Sequence, residues 1–103
     1  MELKVQNINE IINYQEDSVV SKVLLKKDTG NVTLFAFDEN QGLSEHTTPF
    51  DAMVQIVDGE AEITIGGEPH TVKKDEFIIM PANVPHALKA IKKYKMILTM
   101  IKA

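Results

Sequence analysis

Apolar residues recur along this chain at two spacings. Between Asn7 and Tyr14, Ile8, Ile11 and Ile12 fall on one side of a 3.6-residue period, and Asn7 with Glu10 three positions on has the form of a capping box. Residues 7–14 are therefore predicted as a short N-terminal helix. From residue 18 the period shortens. SVVSKVLLK (18–26) and VTLFAF (32–37) flank DTGN, whose glycine permits positive φ, and the three segments read as a hairpin. DENQG (38–42) is a polar break. AMVQIVD (52–58) is expected to turn at Asp58-Gly59 into EAEITI (60–65), where Ala61, Ile63 and Ile65 alternate with Glu60, Glu62 and Thr64 as in a strand with one wet face. A second hairpin is predicted at Gly66-Gly67. EFIIMP (76–81) and YKMILTMI (94–101) are apolar on both faces, which predicts one face inside and the other against a second subunit, a homodimer. Many short strands between turn signals, with almost no helix, predict an antiparallel sandwich or barrel.

Composition narrows the chemistry. At 103 residues the chain is expected to be one domain, residues 1–103, with an N-terminal helix or arm over about 1–16 and a barrel over about 17–103. The net charge is −4 and all 11 basic residues are lysine, so the guanidinium fork that grips phosphates and guanine edges is missing and no nucleic-acid partner is expected. There is no cysteine, which excludes disulfides, thiolate zinc sites and Cys nucleophiles and leaves His and oxygen donors for any metal. MELKVQNINEII lacks a basic stretch followed by a signal-length apolar run, and no stretch approaches the ~18 apolar residues of a membrane span. A cytoplasmic protein with no membrane partner is expected. No Ser-His-Asp order or phosphate-cradling glycine loop is visible, and Glu60, Glu62, Glu68, Asp75 and Glu76 read as a solvated face.

Two histidine-bearing segments carry a more specific signal. SEHTTPFDAMVQIVDG (44–59) places His46 ahead of an apolar strand that ends in Gly59, and KKDEFIIMPANVPHALKA (73–90) places Pro81 and then His86 behind another. Together they resemble the two motifs of the cupin superfamily, small jelly-roll β-barrels, and from 44 to 90 they span roughly half the chain. The resemblance implies an all-β antiparallel jelly-roll barrel, preceded here by the short helix. Carried over position by position, Gly59 matches the glycine ending the first motif and His46 its first histidine. Thr48 stands at the second histidine position and Ala52 at the acid position. In the second motif the Gly-Asp turn becomes Asp75-Glu76, Pro81 is kept, the glycine becomes Asn83, the histidine is His86, and the last position is Ala90. Asp and Asn best tolerate the left-handed conformation after glycine, so both turns are expected to survive at Asp75 and Asn83. Two of the family's usual four metal ligands remain. Neither a threonine hydroxyl nor an alanine methyl replaces an imidazole or carboxylate around a divalent ion.

Taken as residues, His46 and His86 are either ordinary loop or core histidines or two imidazoles converging on one pocket, and the frame match favours convergence. The pocket is expected to bind a small organic ligand, with Thr48 and Gln55 as hydrogen-bond partners. His46 and His86 are also candidate ligands for a divalent Ni, Fe, Mn or Zn ion, with Asp51 or Gln55 completing the shell. Strand alternation puts Asp51, Met53, Gln55 and Val57 on one face and Ala52, Val54 and Ile56 on the other. With Ala52 at the inward position, Asp51 is expected to face solvent or cap the loop unless a bulge at Pro49 shifts the register. His70 should pair across from Ile63 and read as a core histidine. Two other functions stay open: a metal-dependent enzyme of the dioxygenase, isomerase or decarboxylase type, and a non-catalytic dimeric interaction module, the latter favoured if Phe50 and Met53 fill the mouth.

Overall fold

The computed structural model describes residues 3–103, which form eight strands, all paired antiparallel: β1 (Val19–Lys27), β2 (Gly30–Phe37), β3 (Gly42–His46), β4 (Phe50–Ile65), β5 (Glu68–Lys73), β6 (Phe77–Met80), β7 (His86–Lys89) and β8 (Tyr94–Lys102). They make one strongly curled sheet in the order β1-β2-β8-β4-β7-β3, with β5 and β6 also paired to β4. The curl is organised by β4. Its first half pairs β6 and β8, and its second half pairs β5 and β7.

The long β4 corrects the expected turn at Asp58-Gly59, because the chain passes through both residues without reversing. A bulge between Ile56 and Asp58 inserts Val57 and shifts the alternation by one residue. Ala52, Val54 and Ile56 before it and Ala61 and Ile63 after it can then all face the same core. Gly59 completes the bend at φ 73°, where a Cβ would lie 2.1 Å from the Lys93 carbonyl oxygen, so only glycine fits. The true hairpin turn follows at Gly66-Gly67, with Ile63 opposite His70 as the pattern predicts. Asp75 and Asn83 adopt φ 71° and 65°, the left-handed turns expected of them.

No helix is present among the described residues, and the predicted helix over 7–14 is a single turn. The Asn7 carbonyl accepts from the Glu10 and Ile11 amides and the Asn7 side chain from the Asn9 amide, after which the chain extends. A capping residue satisfies the first turn but cannot sustain an eight-residue helix, which in isolation lies below the ~12–15 residues a helix needs to persist. Tertiary contacts decide instead. Ile12 is buried with Leu34 and Ala36 on the outer face of the sheet, flanked by Ile11, Tyr14 and Ile97. The Tyr14 hydroxyl donates to Asp58, and the Lys95 ammonium donates to the Asn9 carbonyl at 2.8 Å while lying over the Tyr14 ring.

Inside, Phe37 stacks on Tyr94 at 4.6 Å, with Ile56, Met96 and Ile63 fully buried around them. On the outer face, the register sets Ile79, Met53, Thr99, Val32 and Leu25 in one row across β6, β4, β8, β2 and β1. Phe77, Ile79 and Ile101 on that face are mainly exposed. Among the described residues no helix is long and apolar enough to cross a membrane.

Candidate functional site

The end of the curled sheet away from Tyr94 holds a cavity of about 250 Å³ lined by both motif histidines, Thr48 and Ala52, with Leu43, Leu88, Leu98, Met80, Met96 and Met100 as its apolar walls. His46 ends β3 and His86 begins β7, and the two are direct cross-strand partners. Two further contacts tie their loops together. The Asn83 amide donates to the Thr48 carbonyl at 2.8 Å, and the Ala82 amide donates to the Asp51 carboxylate at 2.9 Å.

The imidazoles meet edge to face, with Nε2 3.1 Å from Nε2. Their other nitrogens fix the tautomers. His46 Nδ1 lies 2.7 Å from the Ser44 carbonyl oxygen and His86 Nδ1 lies 3.2 Å from that of Val84. A carbonyl can only accept, so each Nδ1 carries a hydrogen and donates it. In the neutral pair both Nε2 atoms are therefore bare acceptors facing one another, an arrangement that calls for a proton, a hydrogen-bond donor or a cation between or beside them. His86 is 3 % exposed, whereas His46 stands exposed at the mouth. Burial first, and the adjacent His46 as well, hold the His86 imidazole below its ordinary pKa, although the bond to Val84 acts in the opposite sense.

The remaining candidates are placed as follows. Thr48 lines the cavity, and its hydroxyl lies 3.4 Å from the Phe50 amide. Asp51 and Gln55 belong to the outward set of β4: Asp51 is occupied by the Ala82 amide, and Gln55 lies beside Asp75, Glu76 and Phe77 on the exterior. Neither Phe50 nor Met53 lines the cavity. His70 is half-buried on β5, apart from the pair. Met80 and Met100 also line the cavity, and the register puts each directly opposite Ala52 on a neighbouring strand.

The profile of the cupin domain matches residues 33–102. The chain belongs to the cupin family. Among solved structures, this cupin is similar over its whole length to a conserved protein of unknown function from Streptococcus pyogenes, at 35% identity and TM-score 0.94, covering 90% of that chain. It is 39% identical, with TM-score 0.92, to a cupin 2 conserved barrel domain protein from Leptotrichia buccalis; 94% of this cupin aligns, and it spans about half (47%) of that chain. A cupin superfamily protein from Desulfitobacterium hafniense shares the fold at TM-score 0.90 and 24% identity, over 100% of this chain and 94% of that one. No curated protein matches.

For a divalent ion of the kind cupins hold, the donors fit in part. Two imidazoles stand at a spacing close to the roughly 3.3 Å edge of a tetrahedron with bonds of about 2.0 Å. Among the described residues no carboxylate lines the cavity, and no three His, Cys, Asp or Glu side chains gather at a common centre.

Proposed function

We propose that this cupin binds a small organic ligand in the cavity, with the His46 and His86 imidazoles and the Thr48 hydroxyl meeting its polar end and the leucines and methionines its apolar body. The observation that carries this reading is the pair of Nε2 acceptors, with the Thr48 hydroxyl, at the head of a cavity whose other walls are apolar. Such a site selects a molecule that brings a hydrogen-bond donor to the imidazoles and fills the rest with carbon. Gln55, expected as a polar contact, lies beside Asp75, Glu76 and Phe77 on the exterior and is left out of this reading. A thermal-shift screen of small hydroxylated, aromatic and acidic compounds, followed by calorimetry, tests the proposal. A binder should lose its affinity in His46→Ala and His86→Ala and in Ala52→Leu, which fills the cavity; unchanged affinity in all three would place the ligand elsewhere.

The 3.1 Å spacing of the imidazoles favours a second reading, the metal-dependent cupin enzyme. A divalent Ni, Fe, Mn or Zn ion held by His46 and His86 would keep positions open for substrate oxygens and supply Lewis acidity to them. Metal analysis of protein purified without chelator, repeated on the two histidine variants, tests it.

The outer row from Ile79 to Leu25, with Phe77 and Ile101, supports a homodimer with a second copy on that face, because exposed apolar surface of this kind is costly in water. Sedimentation of the parent and of Ile79→Lys should show a dimer dissociating to monomer.

A further inference from the structure

The position that would carry the carboxylate ligand is the most altered part of the site. Ala52 contributes only a methyl, and the residues directly opposite it are Met80 on β6 and Met100 on β8. The three side chains share the inner face, and all three line the cavity that both imidazoles enter. In place of one hard, charged oxygen donor, two neutral thioethers flank the gap. Thioether and imidazole donors suit copper(I), whereas carboxylate, carbonyl and water suit the harder divalent ions.

Charge points the same way. The ionic solvation lost on burial scales with the square of the charge, so a divalent ion loses about four times as much as a monovalent one in the same apolar surroundings. Among the described residues no anionic side chain lines this cavity to offset the loss. The imidazoles are prepared for a cation, since both Nδ1–H groups are held by backbone carbonyls and the two Nε2 lone pairs face one another. Met side chains have the rotatable bonds to bring sulfur to an ion without moving the strands.

We infer that the cavity is a soft-metal site, taking copper(I) through the Nε2 atoms of His46 and His86 and the sulfurs of Met80 and Met100, in preference to divalent ions. The inference rests on the reading of the histidine pair as the functional end of the cavity, and goes beyond it in naming the ion and the two sulfur donors.

Two measurements on the full chain test it. In anaerobic competition with the chromophoric copper(I) chelator bicinchoninate, the protein should withdraw one equivalent of copper(I). Met80→Leu and Met100→Leu, which nearly conserve volume, should each weaken that binding about tenfold or more and leave zinc(II) or nickel(II) binding unchanged. In the unmutated protein labelled at the methionine methyls, silver(I) should shift the NMR signals of Met80 and Met100 and leave Met53, on the outer face, where it was. Zinc(II) or nickel(II) binding as tightly as copper(I), or methyl signals at Met80 and Met100 that ignore silver(I), would overturn the inference. The variants separate its failure from that of the underlying reading. Copper(I) binding that survives His46→Gln removes the histidine site altogether; binding lost in His46→Gln but untouched by both Met→Leu changes removes only the sulfur donors.

Discussion

The two halves of the inner face make an instructive comparison. Around Ile56 and Gly59 the space is filled by Phe37 and Tyr94, both fully buried. Around Ala52, a few residues earlier on the same strand, the facing side chains are Met80 and Met100, and a cavity opens. One continuous strand thus supplies the packed end that stabilises the fold and the open end that borders the cavity. The difference lies in side-chain volume at matched inward positions. Stability and binding should accordingly respond to different substitutions along β4 and its neighbours.

The largest expected effect is at the packed end. Phe37→Ala removes a stacked ring from the closed core and should cost about 3–5 kcal/mol in chemical denaturation. Gly59→Ala forces a side chain onto the Lys93 carbonyl at positive φ and should cost about 2–3 kcal/mol, with the bend itself disturbed. Asp51→Ala removes the acceptor of the Ala82 amide and should cost about 1 kcal/mol, while loosening the loops that hold the imidazoles apart. Ala52→Leu at the open end should change stability by less than about 1.5 kcal/mol yet abolish binding in the cavity. A loss as large as that of Phe37→Ala would mean that the two ends are not distinct.

The smallest effect is a pH dependence. His86 has a folded-state pKa below its ordinary value of 6.5, so the unfolded chain binds the proton more readily. Its contribution to stability is therefore fully present above about 6.5 and declines as the pH falls from there toward the lower folded-state pKa. The denaturation midpoint should drop between pH 7.5 and 5.5, and the drop should shrink in His86→Gln.

Much of this architecture was legible in the residues. Alternation at Ala61, Ile63 and Ile65, the hairpin at Gly66-Gly67 and the spaced histidine segments were enough for an all-β cupin fold. Three features were not legible, each for a physical reason. The helix over 7–14 failed because a local cap competes with burial of Ile12 against Leu34, and periodicity alone does not contain that contact. The reversal at Asp58-Gly59 proved to be a bulge, since a glycine at positive φ serves either purpose. The strand β3 (Gly42–His46) reads as polar loop because its side chains are mostly exposed, its pairing being to the backbone of β7. At the site, the motif frame led to the expectation that His46 and His86 approach one pocket, but not to their direct pairing across β3 and β7. The flanking of Ala52 by Met80 and Met100 could not be anticipated either, because it depends on the register of three strands at once.

The ties between Asn83 and Thr48 and between Ala82 and Asp51 have a further consequence. Because main-chain amides at the mouth anchor both rims, the distance between the imidazoles works like a calliper locked before any guest arrives. A guest would be sized by the jaws, and exchange of the side chains behind them could retune affinity without resetting the gauge.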